Sequence, residues 1–196
     1  MLILLAHGAG AGPDHPWMRA WATRLSTLGR VVPFAYPYMA AGSRRPDRLP
    51  ALIEAHREVL ASARRPGEAV VLAGKSMGGR VGCHLSLEES VQGVVCFGYP
   101  LVGSSARRPV RDQVLLDLRT PVLFVQGTRD RMCPLAHLAE VRARMTAPSA
   151  VHVVPTGDHS LLITRTHSRL TGRSQADEDD ATQAAVAGFV GGPSRG

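Results

Sequence analysis

Six short apolar runs alternate with helical patterns along the chain, and this alternation constrains the fold more than any other feature. The runs have strand length and are almost continuously apolar, which is typical of strands buried on both faces. They lie at 2–6, 31–36, 69–73, 91–97, 122–126 and 150–154. Helices are predicted at 16–28, 49–63, 112–118, 134–145 and 181–190, with a further helix running up to residue 85, whereas the polar segment 164–180 is predicted to be irregular. The order predicts an α/β fold, a mostly parallel sheet of about six strands with helices on both faces.

Length and composition indicate one globular domain. The chain has 196 residues, of which 44% are hydrophobic and 20% charged, as in ordinary globular proteins. We expect a single domain over 1–191 and a tail at 192–196. The three cysteines have no metal-ligand spacing, which indicates free thiols in a reducing compartment and no metal site.

The apolar start of the chain turns into a Gly-rich stretch after residue 6. This start is too short for the apolar region of a signal peptide, and no basic residue precedes it. No later stretch reaches the roughly 18 apolar residues of a membrane span. We therefore expect a cytoplasmic protein that does not bind membranes.

The net charge of +7 raises the question of nucleic-acid binding. Lys75 is the only lysine, and the arginines are scattered without a basic run or a basic helical stripe. Nucleic-acid-binding proteins concentrate their cations on one face or along one helix. The charge pattern therefore argues against a nucleic-acid partner.

A Gly-x-Ser-x-Gly pattern follows the third apolar run. Residues 74–78 read Gly-Lys-Ser-Met-Gly, between a predicted strand and a predicted helix. In this context the pattern forms a sharp turn that presents the serine above the sheet, at a helix N-terminus that favours negative charge. The overlapping Gly-Lys-Ser resembles the end of a nucleotide-binding P-loop, but that motif requires glycine at position 69, where the chain has Ala69. The pattern predicts Ser76 as a nucleophile.

An aspartate and a histidine follow two later strands in the order that this type of fold uses. Asp130 comes after the run 122–126, and His159 comes after the run 150–154. Carboxyl ends of parallel strands meet at one edge, where ligands bind. We predict His159 as the general base and Asp130 as the residue that orients it. Asp158 is the nearest competitor for the second role, and its adjacency to His159 indicates a loop-shaping residue instead.

Acyl transfer needs hydrogen-bond donors for the oxyanion that forms in the transition state. We expect one donor to be the backbone N–H of Met77, the residue after the nucleophile. The other is expected from the Gly-rich loop after the first strand, at Ala9, with Gly10 as the alternative.

Candidate substrate contacts lie in the loop after the fourth strand and near Asp130. Tyr99, Leu101 and Met132 are predicted to line the acyl side, although core packing explains Leu101 and Met132 equally well. Four arginines are candidates for binding a substrate carboxylate, but such side chains are more often simply solvated. They are Arg107, Arg108, Arg129 and Arg131.

The motifs together resemble the small bacterial α/β-hydrolases related to dienelactone hydrolase, and more closely the group around testis-expressed protein thirty. They stand at 7–10, 74–79, 98–101, 122–130 and 157–159, and so span almost the whole chain. The resemblance implies an α/β-hydrolase fold with a Ser76, Asp130 and His159 triad. The short segment 98–119 leaves room for a minimal cap or none. Dienelactone hydrolase has a cysteine nucleophile where this chain has Ser76, so the resemblance does not extend to dienelactone chemistry.

Two functional hypotheses follow. The first is a serine hydrolase that cleaves an ester, thioester or related acyl bond of a small molecule through an acyl-Ser76 intermediate, without a cofactor. The second is a binding or scaffold module of the same fold, with a protein partner and little catalytic activity. The second is motivated by the Arg-containing loop 98–111 and by relatives that act within larger assemblies. The joint presence of Ser76, Asp130 and His159 favours the first, and neither hypothesis specifies an oligomeric state.

Overall fold

A six-stranded parallel sheet forms the centre of the molecule. The computed structural model describes residues 1–103 and 110–192. In chain order the elements are β1 (Leu2–Ala6), α1 (Pro16–Leu25), β2 (Arg30–Phe34), α2 (Pro37–Ala40), α3 (Leu49–Ala63), β3 (Val70–Lys75), α4 (Met77–Leu85), β4 (Gly93–Phe97), α5 (Gln113–Asp117), β5 (Val122–Gly127), α6 (Leu135–Arg144), β6 (Ser149–Val154), α7 (Arg165–Thr171) and α8 (Gln175–Val190). The strand order is β2-β1-β3-β4-β5-β6 and every pair is parallel. The predicted α/β class with a mostly parallel sheet is confirmed.

The helices cover both faces of the sheet because alternate strand residues point to opposite sides. One core contains Leu4, Leu72 and Phe124 with side chains of α3, α4, α5 and α6. The other contains Leu5 and Val95 with side chains of α1 and α8. Strands buried in this way read as continuous apolar runs, which is why the sequence located all six. The edge strand β2 is the least buried of the first five and accommodates Pro33, which an inner strand would not.

The strand order reverses beside β1, and this reversal creates the position where ligands bind in open α/β sheets. β1 pairs with β2 on one side and with β3 on the other. The loops that follow β1 and β3 therefore meet at one edge. A Cβ atom added to Gly8, in the loop after β1, would lie 3.5 Å from Lys75 Cγ and 3.7 Å from Ser76 Cβ. The loop after β1 and the turn after β3 thus lie together at the point where the strand order reverses.

The prediction that 164–180 is irregular is wrong, because the segment contains α7 and the first turns of α8. Ser174 and Asp177 form a reciprocal capping box that starts α8 at Gln175, ahead of the helix start predicted at 181. Glu178 is buried in α8 and paired with Arg173 at 2.5 Å. Because polar residues occupy these first turns, hydrophobic periodicity alone did not indicate the helix.

Two further features concern the cysteines and the lengths of the helices. All three cysteines are buried and free. Within residues 1–103 and 110–192, every helix is too short or too polar to cross a bilayer.

Gly78 and Gly188 both lie in helices, and we expect the same substitution to have opposite effects on them. A Cβ atom on Gly78 would lie 2.5 Å from the carbonyl oxygen of Ala6, so Gly78→Ala should destabilise the protein by about 3 kcal/mol, the upper end for overpacking. Gly188 has open space around its Cβ position, and Gly188→Ala should stabilise by about 0.5–1 kcal/mol. Urea unfolding of both variants measures the difference. Equal effects of the two substitutions would contradict the packing of α4 against β1.

Candidate active site

Ser76 lies in a strained turn between β3 and α4. Its φ of 50° and ψ of −111° are unusual for a residue with a side chain. The turn is held from both sides, because the Ser76 N–H donates to the Phe97 carbonyl at 2.9 Å and the Ser76 carbonyl accepts from the Arg80 N–H at 3.1 Å. A Cβ atom on Gly74 would lie 2.3 Å from Gly79 N, so the turn closes only with glycine there. The predicted strand–turn–helix context of Ser76 is present.

Ser76, His159 and Asp130 form one continuous hydrogen-bonded chain. The Ser76 Oγ lies 2.8 Å from His159 Nε2, and His159 Nδ1 lies 2.8 Å from Asp130 Oδ2. Because an ionised carboxylate only accepts hydrogen bonds, Nδ1 carries the proton and Nε2 is left to accept from the serine hydroxyl. The structure thus brings together the three residues that the sequence analysis selected from different parts of the chain.

The pairing of β5 with β6 explains how Asp130 and His159 meet. Gly127 pairs with Val154 at the ends of these strands, so the two loops start side by side. They touch so closely that a Cβ atom on Gly127 would lie 2.2 Å from the Gly157 carbonyl oxygen. The short loops leave Asp130 and His159 facing each other at the carboxyl edge of the sheet.

Asp130 is buried and held by three donors. His159 Nδ1–H and Gln126 Nε2–H donate to its Oδ2, the latter at 2.6 Å, and the Met132 N–H donates to Oδ1 at 2.8 Å. Burial opposes ionisation of this carboxyl, but the hydrogen bonds outweigh burial and lower its pKa. Asp130 therefore carries a negative charge directed at the imidazole.

Gln126 is a supporting residue that the sequence analysis missed. It is fully buried at the end of β5, and its Oε1 accepts from the Tyr99 N–H at 3.2 Å while its Nε2 donates to Asp130. The available signal was a single amide in an otherwise apolar strand. A buried amide needs partners on both sides, and here one of them is the carboxylate.

The loop that carries His159 is shaped by Asp158. Its Oδ1 accepts from the N–H groups of Ser160 and Leu162 at 2.7 and 3.0 Å. Leu161 has a positive φ of 66° within the same turn. Asp158 thus organises the backbone around the histidine, whereas Asp130 contacts the imidazole.

Lys75, the only lysine, also reaches this loop. Its Nζ donates to the His159 carbonyl oxygen and lies 5.7 Å from the centre of the Trp17 ring. Burial lowers the pKa of Lys75 to about 8, against the opposing attraction of Asp130 and Asp158. The sequence analysis gave Lys75 no role in the site, because a contact with a loop 84 residues away leaves no local signal.

The lowered pKa of Lys75 predicts a pH dependence of stability. Between about pH 8 and pH 10.5 the unfolded chain binds a proton that the folded chain has released, so this group makes folding more favourable as the pH rises. The free energy of unfolding of wild type minus that of Lys75→Met should therefore increase from pH 8 to pH 10, by at most about 1.4 kcal/mol per pH unit. Urea unfolding at pH 7, 8.5 and 10 measures this difference. A constant difference would mean that the amine is not desolvated.

Buried histidine and tyrosine side chains hold the loop after β1 in position. Burial lowers the pKa of His7, which stays neutral, so Nδ1–H donates to the Gly8 carbonyl at 2.6 Å while Nε2 accepts from the Tyr36 N–H at 3.1 Å. The Tyr38 hydroxyl donates to the Ala9 carbonyl at 3.1 Å. The Ala9 N–H belongs to the same peptide group as the Gly8 carbonyl, and no described residue accepts a hydrogen bond from it.

Two cavities meet at Ser76 and share Ala9 and Met132. The first, which we call the Trp17 cavity, has a volume of about 390 Å³ and is also lined by Trp17, Lys75 and His159. The second, which we call the Arg80 cavity, has a volume of about 340 Å³. It is also lined by Met77, Arg80, Pro100, Arg111 and Asp47, among others. A substrate attacked by Ser76 therefore has separate space for the two halves of its scissile bond.

Two of the predicted substrate contacts do not line either cavity. Tyr99 and Leu101 are fully buried in the core, and the Tyr99 hydroxyl donates to the Arg111 carbonyl at 2.9 Å. The segment after β4 turns inward, so that only Pro100 between them lines the Arg80 cavity. The prediction for Tyr99 and Leu101 is therefore corrected, whereas Met132 lines both cavities.

Two of the four arginine candidates lie among the described residues. Arg129 and Arg131 are exposed, and Arg107 and Arg108 lie outside the described residues.

Among the residues that the structure describes, no cluster of three or more His, Cys, Asp or Glu side chains has the arrangement of a metal site.

Comparison with known proteins agrees with this fold. The chain belongs to the α/β hydrolase domain family, whose model matches residues 1–191. Membership of this family supports a hydrolase.

Solved structures of the same fold include three that are similar over most of their length. A dienelactone hydrolase from Anabaena variabilis has a TM-score of 0.71 at 17% identity, covering 99% of this chain and 87% of that one. The thioesterase of the prodiginine biosynthetic pathway from Streptomyces coelicolor has a TM-score of 0.69 at 17% identity, covering 96% and 90%. A serine hydrolase without a lid from Xanthomonas campestris has a TM-score of 0.69 at 18% identity, covering 94% and 80%. At these identities the likeness shows the fold.

Proposed function

We propose that this protein is a serine hydrolase that cleaves an ester, thioester or related acyl bond through an acyl-Ser76 intermediate. The observation that carries the proposal is the unbroken chain from Asp130 through His159 to Ser76, with both links at 2.8 Å. Hydrogen-bond reach between nucleophile and base, and between base and orienting group, is the geometric requirement for this chemistry. Ser76 lines two cavities, so a substrate carbonyl has access to its hydroxyl.

In the acylation step, Ser76 Oγ attacks the carbonyl carbon while its proton passes to His159 Nε2. The resulting imidazolium is stabilised by the buried carboxylate of Asp130, which keeps its negative charge. His159 then gives the proton to the leaving group as the tetrahedral intermediate collapses. A water molecule, activated by the same imidazole, releases the acyl group and restores Ser76.

The oxyanion formed in each step needs two donors. Met77 is the first residue of α4, so its N–H has no acceptor within the helix and is available. We propose Met77 and Ala9 as the pair, with Gly10 as the alternative to Ala9. The hydrogen bond from His7 to the Gly8 carbonyl supports Ala9, because that carbonyl and the Ala9 N–H belong to one peptide group, whose orientation is fixed before substrate binds. The hydrogen bond from Tyr38 to the Ala9 carbonyl fixes the next peptide group, which carries the Gly10 N–H.

The relatives' descriptions support the choice of bond. A dienelactone hydrolase and a thioesterase both act on acyl compounds, and both share this fold. Ser76 stands where the first of these classes has cysteine, so we propose an oxygen-linked acyl intermediate. The narrower likeness to the testis-expressed protein thirty group stays a prediction from the sequence motifs.

Labelling with a fluorophosphonate probe tests the proposal. An activated Ser76 displaces fluoride and forms a stable phosphonyl ester, so we expect one label per chain, mapped to Ser76 by peptide mass spectrometry. His159→Ala should lose the labelling because no base then accepts the hydroxyl proton. Folded wild-type protein that takes up no label would overturn the proposal and favour the scaffold hypothesis.

A further inference from the structure

The position of His159 assigns the two cavities to the two halves of the substrate. His159 lines the Trp17 cavity but not the Arg80 cavity. Because His159 must protonate the leaving group, that group leaves on the side of the Trp17 cavity. The acyl half of the substrate therefore extends in the other direction, into the Arg80 cavity.

Arg80 lies in the cavity that receives the acyl half. It stands one helical turn after Ser76 on α4, and its N–H donates to the Ser76 carbonyl. Residues four apart lie on the same face of a helix. The Arg80 side chain accordingly lines the cavity together with Ser76 and Met77.

The guanidinium of Arg80 is without a partner in the described part of the chain. Its Nε is buried and makes no hydrogen bond there. By contrast, Arg24 and Arg57 each pair with a carboxylate at 2.5 Å. A buried donor without a hydrogen-bond partner is costly unless something else satisfies it. The cavity in front of Arg80 is where such a partner can bind.

The one carboxylate in this cavity does not pair with Arg80. Asp47 is the only acidic residue among the residues that line the cavity. The Asp47 carboxylate accepts from the Tyr38 N–H at 3.2 Å rather than pairing with Arg80. Arg80 therefore lacks a carboxylate partner among the residues that line the cavity.

We propose that Arg80 binds a carboxylate carried by the acyl half of the substrate, so that the enzyme selects esters or thioesters of acids with a second carboxyl group. The planar guanidinium matches a carboxylate with two parallel hydrogen bonds. Met77 and Met132 also line this cavity, and we expect them to contact the methylene chain of such an acid. This inference rests on the proposed function, because it identifies the acyl group that the same serine accepts.

Hydrolysis of two matched substrates tests the selectivity. The mono-4-nitrophenyl ester of adipic acid carries a free carboxylate, and its methyl ester is the neutral counterpart. Wild type should prefer the anionic ester, and Arg80→Met should lower the ratio of the two kcat/KM values by about 10- to 100-fold, mainly through KM. Arg80→Lys should restore part of the ratio, and the exposed Arg19→Met is the control. An unchanged ratio in Arg80→Met would overturn the inference.

Binding to an inactive variant separates this inference from the proposed function. Monomethyl adipate should bind Ser76→Ala in ligand-observed NMR, and Ser76→Ala combined with Arg80→Met should bind it at least about tenfold more weakly. If wild type hydrolyses neither ester but binding still depends on Arg80, the proposed function fails and the anion site stands. If neutral esters are hydrolysed but neither binding nor the selectivity ratio depends on Arg80, the anion site fails and the serine hydrolase stands.

Discussion

Replacing Ser76 with alanine is expected to lower kcat for any ester substrate by about 10⁵- to 10⁶-fold. The substitution removes the hydroxyl whose oxygen lies 2.8 Å from His159 Nε2, and Ser76 lines both cavities. Alanine retains the same backbone constraints as serine, so the positive φ of this turn persists and the fold should be preserved. Residual activity would then reflect the oxyanion donors and binding alone.

Steady-state hydrolysis of a 4-nitrophenyl ester, with circular dichroism to check folding, measures the effect. Ser90→Ala is the matched control because Ser90 is an exposed serine in the loop before β4. It should hydrolyse the ester at the wild-type rate. A Ser76→Ala protein that kept activity within tenfold of wild type would mean that hydrolysis proceeds without the acyl-serine, and the mechanism would have to be abandoned.

The sheet and the three residues of the hydrogen-bonded chain were predictable because their signals are local. Each strand is a continuous apolar run, and parallel strands place whatever follows them at one edge. Ser76, Asp130 and His159 each follow a strand within a few residues. The order along the chain then selected them without any knowledge of distances.

The supporting residues were not predictable because their roles depend on contacts between distant segments. Lys75 meets the His159 carbonyl, Gln126 bridges Asp130 and Tyr99, and Arg80 is defined by a cavity rather than by a motif. The wrong assignment of Tyr99 has the same origin. Its position after a strand end suggested the site, whereas the direction of the following backbone buries it.

Replacing Asp130 with asparagine is expected to lower kcat by about 10⁴-fold with little change in the fold. Asp130 Oδ2 accepts hydrogen bonds from both His159 and Gln126. An amide placed there offers either an oxygen or an NH₂ group to each of these neighbours. Turned with its NH₂ toward the imidazole, it forces the tautomer in which Nε2 carries the proton, and Nε2 can then no longer accept from Ser76. Turned the other way, it still lacks the negative charge that stabilises the imidazolium.

Asp158→Asn provides the matched control in the neighbouring position. Asp158 accepts backbone hydrogen bonds from Ser160 and Leu162 through Oδ1 alone, and an asparagine oxygen can accept the same bonds. We expect it to retain kcat within about tenfold, since it has no contact with the imidazole and acts only on loop shape. Comparing kcat of the two variants on one ester thus separates charge at the base from support of its loop. If both variants lost activity equally, the position of the loop rather than the Asp130 carboxylate would govern the base, and Asp130 would have to be reassigned as a structural residue.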